Sequence, residues 1–165
     1  MIIIEGIDAT GKSSLAQKIS DHTGWPIKES EGPEKFPGEI ITRMKLYLGL
    51  PHTTIFDRHP VISQCIYGPL KKQISSPPFL LQELKRVKPL IIQASSINKG
   101  AHKVKEYDTP SHINLIESKK EEIIKAYDLF MEIHFPKRIL YTFENTYDTI
   151  KQAIYYARRP RDFDL

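Results

Sequence analysis

Short apolar runs alternate with longer amphipathic ones along the chain, the pattern of an α/β layer fold built on a parallel sheet. Ile2 to Glu5 is almost wholly apolar and predicts a buried first strand. Lys12 to His22 follows as a helix with Leu15, Ala16 and Ile19 on one face. Trp25 to Ser30 predicts a weaker strand, and Gly38 to Gly49 a helix carrying Ile41, Met44, Tyr47 and Leu48 at helical spacing. Thr53-Thr54-Ile55-Phe56 is β-branched and aromatic, a short buried strand ending at Asp57. Ile62 to Tyr67 and Pro78 to Val87 read as helices, the second with its proline in the first turn, and Pro89 to Ala94 as a strand. Ser95 to Ser111 is polar, lysine-bearing and aperiodic, and at that length is a candidate mobile lid. His112 to His134 then shows Ile113, Ile116, Ile123, Ile124, Tyr127, Phe130 and Met131, a long amphipathic helix. Arg138 to Phe143 is a final strand. Asn145 is expected to cap the last helix with Asp148 three residues on, and Tyr147, Ile150, Ile154 and Ala157 to face inward.

The expected fold class is therefore α/β: a doubly wound parallel sheet of about five strands with flanking helices and a short lid. At 165 residues the chain is expected to be one domain, 1–165, with the lid at about 95–111. With 40% hydrophobic and 27% charged residues it reads as globular, and no apolar run approaches the ~18 residues of a membrane helix. Met1-Ile2-Ile3-Ile4 lacks a basic start and is cut short by Glu5, unlike a signal peptide. A single cysteine, Cys65, excludes an internal disulfide framework and a multi-thiolate zinc site, and fits a reducing, cytoplasmic location. Cys65 reads as an inert core thiol and Trp25 as packing. The histidines show no ligand spacing, so no transition-metal site is expected. A net charge of +4 permits anionic ligands, but 24 basic against 20 acidic residues is too mild an excess to argue for nucleic acid.

Gly6-Ile7-Asp8-Ala9-Thr10-Gly11-Lys12-Ser13 fits G-x-x-x-x-G-K-[ST], with Ser14 following. Gly6 and Gly11 allow the tight turn in which successive N–H groups, those of Asp8, Ala9 and Thr10 among them, can point at phosphate oxygens. Lys12 supplies a compact positive charge, the Ser13 hydroxyl can hold Mg²⁺, and the helix that starts there aims its positive end at the same anion. An apolar strand before the motif and an amphipathic helix after it are the context this chemistry needs. The implied substrate and cofactor are ATP as phosphoryl donor and Mg²⁺. Asp57 falls at the end of a buried strand, on the edge that carries the ligand crevice in a doubly wound sheet, where its carboxylate can hold Mg²⁺ and Arg58 can reach transferring oxygens.

Glu5 before the loop and Asp8 inside it make E-G-I-D-A-T-G-K-S-S, which resembles the P-loop of thymidylate kinases and their phage-type relatives. The resemblance continues at Phe36-Pro37 and at Asp57-Arg58-His59, similar to that family's Asp-Arg-(Tyr/His) signature. Ser63 and Tyr67 follow where a small and an aromatic residue are expected, allowing one inserted residue. It implies a P-loop NTPase fold and transfer of the γ-phosphoryl of ATP to a deoxynucleoside monophosphate, dTMP foremost. It also implies that Asp8 faces the acceptor sugar 3′-hydroxyl and that Tyr67 crowds the 2′ position, with plain core packing the other reading of Tyr67. Phe36 would stack on the acceptor base or pin a loop.

A monophosphate acceptor needs cations to hold it in line, whereas a nucleoside hydroxyl needs a base. Lys28, Lys35, Arg43 and Lys45 cluster after the second strand and favour the monophosphate, with Arg43 the preferred clamp. Glu29, at the end of that strand, keeps a deoxynucleoside kinase open. The phosphate loop is equally compatible with a nucleotide-binding switch, and with a polynucleotide 5′-end kinase, against which the mild charge argues. Family members commonly take a catalytic arginine from the first loop or the lid. Here Ala9 follows Asp8, no arginine occurs between Val87 and Lys137, and the lid offers Lys99, Lys103 and Lys105. Transition-state charge then falls to Lys12, Arg58 and Mg²⁺, with Arg158, Arg159 and Arg161 as another source. Expected partners are small-molecule nucleotides, with neither nucleic acid nor a membrane, and a homodimer is left open.

Overall fold

Strand β1 (Ile2–Glu5) is buried on both faces, as the central strand of a parallel sheet must be. Its side chains alternate between two cores: Met1 and Ile3 enter one, Ile2 and Ile4 the other. The computed structural model describes residues 1–32, 36, 38–71, 76–97, 114 and 118–159. After β1 come α1 (Lys12–Thr23), β2 (Ile27–Glu29), α2 (Glu39–Leu48), β3 (Ile55–Asp57), α3 (Pro60–Leu70) and α4 (Pro78–Arg86). They are followed by β4 (Leu90–Ala94), α5 (Lys120–His134), β5 (Ile139–Tyr141) and α6 (Thr146–Arg158). The five strands are all parallel in the order β2-β3-β1-β4-β5.

That order positions the site. Leu15, Ala16 and Ile19 of α1 pack with Ala153 of α6 against Ile2, Ile4 and Ile92. Helices α2 to α5 pack on the opposite face, through Met44, Tyr47, Val61, Ile62, Leu80, Leu84, Ile123, Tyr127 and Met131. The connection leaving β1 thus goes to one face while those leaving its neighbours β3 and β4 go to the other, which opens a crevice at the C-terminal edge of β1. Register aligns Ile4 with Asp57 and Glu5 with Gln93, so the ends of β1, β3 and β4 reach that edge together.

The expected α/β class and strand set are present, with several local corrections. β2 is shorter than Trp25 to Ser30, because Trp25 sits before the strand, half-buried against the second core. Thr53 and Thr54 precede β3 rather than joining it. Helix α3 begins earlier than expected, with His59 at its N-cap accepting from the Val61 N–H and Pro60 in the first turn. Asn145 occupies the N-cap position of α6, but its side chain caps no helix N–H. It accepts from the Thr142 N–H at 2.9 Å and the Thr149 hydroxyl at 3.1 Å instead. The inner face of α6 is Thr149 and Ala153, with Ile150 partly buried, while Tyr147 is exposed. Cys65 is half-buried, not core. The expected lid lies almost wholly outside the described residues, with Lys99, Lys103 and Lys105, as do Lys35, Pro37 and Arg161. No helix of the described residues is long and apolar enough to cross a membrane.

Candidate functional site

The loop between β1 and α1 takes backbone conformations few sequences allow. Gly6 has φ 139°, and a Cβ there would stand 2.6 Å from the Ala94 carbonyl oxygen of β4. Ala9, at φ 62°, also adopts the left-handed region, a strained choice for a residue with a Cβ. The Thr10 hydroxyl donates to the Ile7 carbonyl at 2.9 Å and closes the turn. At the start of α1 no side chain among the described residues caps the helix, which leaves the first-turn N–H groups for an anion.

Lys12 is buried, and its Nζ folds back to donate to the Ile7 carbonyl at 2.5 Å and to Thr10 Oγ1 at 3.5 Å. Burial, with Arg58 adding its repulsion, pushes its pKa down to about 7. A polyanion would therefore restore a charge that the protein alone holds weakly. The Ser13 hydroxyl donates to Asp57 Oδ2 at 2.5 Å, across 44 residues of sequence. A hydroxyl and a carboxylate side by side are the hard oxygen donors that Mg²⁺ accepts, so Ser13 and Asp57 fit that ion. Arg58 donates to Asp8 Oδ1 at 2.7 Å and to the Gly6 carbonyl at 3.1 Å, and its guanidinium lies 5.6 Å from the Tyr67 ring centre. The residues singled out in the loop and in the Asp57-Arg58 pair thus converge.

The acceptor-side residues are arranged differently from the expectation. Within the basic cluster after β2, acidic neighbours engage Lys28 and Arg43. Lys28 pairs with Glu31 at 2.5 Å, and buried Arg43 pairs with Glu39, donates to the Gly32 carbonyl at 2.6 Å and lies 3.7 Å from Glu31. Lys45 is exposed, beside a hollow lined by Thr42, Leu46, Gly49 and Leu50. Glu31 also accepts from the Tyr47 hydroxyl at 2.8 Å, and these donors hold its pKa below the usual carboxylate range. Glu29 is exposed at the end of β2, with Glu29 and Asp57 in register. Phe36 is exposed, its carbonyl accepting from the Glu39 N–H at 3.1 Å. Tyr67 belongs to the core and also meets Arg58, and its hydroxyl is buried, as is that of Ser63 one turn before it.

Residues the sequence did not single out also meet the site. The Phe143 ring lies over Gly11, and the Tyr141 hydroxyl is close by, so the turn after β5 flanks the phosphate loop. Glu5, fully buried, accepts from the His59 N–H at 2.7 Å and from the Tyr127 hydroxyl at 3.2 Å. Burial pushes its pKa up to about 7 against the opposing pull of the His59 N–H, Arg58 and Lys12. Its folded pKa lies above the unfolded 4.5, so its stabilising contribution is complete below pH 4.5 and lost as pH rises through 7. Glu5→Gln removes that loss, so the variant's stability relative to wild type should rise between pH 5 and pH 8 by up to about 3 kcal/mol. Urea melts at both pH values check this, and a pH-independent difference would contradict it.

Loop, sheet order and the Ser13–Asp57 pair together define a P-loop α/β fold. No protein-family model matches the sequence, and no curated protein matches it. Among solved structures, the YorR protein of Bacillus subtilis in complex with phosphorylated GDP superposes with a TM-score of 0.69. The match covers 94% of each chain at 18% identity. Deoxyadenosine kinase from M. mycoides is a more distant likeness. With dCMP and dCDP bound it gives a TM-score of 0.47 at 17% identity, over 94% of each chain. With dCTP bound it gives 0.44 at 14% identity, over 94% of this chain and 100% of that one. The likeness to YorR is one of fold.

Proposed function

We propose that the chain is an ATP-dependent deoxynucleoside monophosphate kinase that converts a dNMP, dTMP foremost, and ATP to dNDP and ADP. The observation that carries this reading is the convergence at one sheet edge of Lys12 and Ser13 from the phosphate loop with Asp57 at the end of β3 and Arg58 just after it. A YorR structure that holds a phosphorylated GDP agrees with a nucleotide crevice in this fold.

In the transfer, an acceptor phosphate oxygen bonds to the γ-phosphorus as the bond to the β,γ-bridging oxygen breaks, and that electron pair leaves with ADP. The acceptor's second pKa of about 6 makes it largely dianionic at pH 7, so no base is required. Lys12 and the uncapped α1 N-terminus hold the donor phosphates, and Arg58 offers its fork of donors to oxygens that gain charge. Ser13 and Asp57 would hold Mg²⁺, which supplies charge neutralisation on the β- and γ-phosphates. Asp8 faces the acceptor sugar, and Tyr67 crowds its 2′ position.

One observation favours a second reading. The exposed Glu29 carboxylate at the end of β2 could serve as the base that a nucleoside 5′-hydroxyl requires. A panel of deoxynucleosides and their monophosphates with ATP, read by product chromatography, separates the two. Turnover of dNMPs is expected. Turnover of nucleosides alone would replace this reading with the second, and ATP hydrolysis indifferent to any acceptor would point to a switch. Arg43, held by Glu31 and Glu39, braces the turn after β2 on the acceptor side. Arg43→Ala should raise the acceptor KM by about tenfold with a smaller change in kcat, measured by steady-state kinetics. An unchanged KM removes Arg43 from that role.

A further inference from the structure

Among the described residues, the transfer described above leaves one buried acid unused. Glu5 ends β1 directly before the phosphate loop, yet its carboxylate turns to the β3–α3 junction, where Oε1 accepts from the His59 N–H at 2.7 Å. The preceding N–H, that of Arg58, donates to the Ile4 carbonyl at 3.0 Å. Consecutive hydrogen bonds from β1 thus fasten the two residues of this turn. Between them Arg58 keeps φ 71°, a conformation that residues with a Cβ leave unless their surroundings hold them there. From that backbone its guanidinium returns over the loop to Asp8 and the Gly6 carbonyl.

The other carboxylate oxygen closes a ring of contacts. Tyr127, from α5, donates its hydroxyl to Glu5 Oε2 at 3.2 Å. Its ring meets Tyr67 edge-on with centroids 6.0 Å apart, and Tyr67 lies under the Arg58 guanidinium. We propose that Glu5 is a positioning residue for Arg58, fixing the left-handed turn that aims the guanidinium, and that Tyr127 braces the same carboxylate from α5. Only the kinetic consequence rests on the kinase reading; the geometric one does not.

The test compares Glu5→Ala, Glu5→Gln and Tyr127→Phe, each alone and combined with Arg58→Ala, by crystal structure, melting temperature and steady-state kinetics with ATP and dTMP. Glutamine keeps an acceptor for the His59 N–H, so Glu5→Gln should hold Arg58 in place and keep kcat within about threefold of wild type. Glu5→Ala should release Arg58 from its positive φ and from Asp8. It should lower kcat by about 10–100-fold, the usual scale for a group that orients a functional one, and should add nothing to Arg58→Ala, since both remove the same interaction. Should Glu5→Ala fail to fold, Tyr127→Phe gives the second reading, with a drop of about 3–10-fold that also vanishes in the Arg58→Ala background. A Glu5→Ala variant whose loss multiplies with that of Arg58→Ala, or whose crystal structure keeps Arg58 on Asp8, would overturn the proposal. A wild type that transfers nothing to any acceptor sinks the kinase reading alone, and the position of Arg58 in the Glu5→Ala crystal still decides this one.

Discussion

Lys12→Ala is expected to lower kcat for phosphoryl transfer by roughly 10²–10³, the scale on which a preorganised charge aimed at a transition state acts. At about 1.36 kcal/mol per tenfold, that is roughly 3–4 kcal/mol of lost transition-state stabilisation. Folding should respond differently. Burial already disfavours the charged ammonium, and among the described residues its hydrogen bonds run to Ile7 and Thr10 of its own loop. Removing it relieves desolvation of a cation, which offsets the packing lost with its buried stem, so melting of the unliganded variant should stay near that of wild type. Initial rates at saturating ATP and dTMP, beside a thermal melt, measure both. Near-wild-type turnover would refute the assignment of the loop. Lost turnover with an equally large drop in melting temperature would mean that Lys12 matters to the fold instead.

Gly6→Ala has the larger structural effect. The added Cβ would meet the Ala94 carbonyl oxygen at 2.6 Å, and that atom belongs to the backbone of a central strand that cannot yield. At φ 139° any side chain is also strained. Backbone strain and overpacking together cost roughly 2–5 kcal/mol, which for a chain of this size lowers the melting temperature by about 5–20 °C. Turnover should fall with it, because the loop can accommodate the methyl only by moving its amides. Gly24, the C-cap of α1 at φ 70° with nothing within 4 Å of an added Cβ, is the matched control. Alanine there meets only the left-handed penalty of about 1–2 kcal/mol. Equal melting of the two variants would show that the close approach to β4 is not what Gly6 serves.

Much of this site was legible along the chain because its parts are local or follow from sheet logic. The phosphate loop needs one strand, one turn and one helix in immediate succession, and the residues from Ile2 to Thr23 form that series. Asp57 could be placed on the same edge as Gly6 because parallel strands end together, and the Ser13–Asp57 hydrogen bond realises that placement. Counting lysines and arginines after β2 left out the carboxylates that lie beside them. Glu31 stands three residues from Lys28 and Glu39 four from Arg43 along the chain, whereas Glu31 comes within 3.7 Å of Arg43 only once the turn after β2 meets α2.

Period and adjacency are properties of a segment, and they were enough to determine the α/β class, the strand–turn–helix around the loop and the strand that ends at Asp57. Which partner a side chain meets depends on how distant segments pack, and no local pattern encodes it. The Tyr127–Glu5 contact spans 122 residues. Phe143 reaches Gly11 only because β5 and α6 fold back beside α1. The inner face of α6 passed to Thr149 and Ala153 because the surface offered by α1 admits small side chains there and leaves Tyr147 outside.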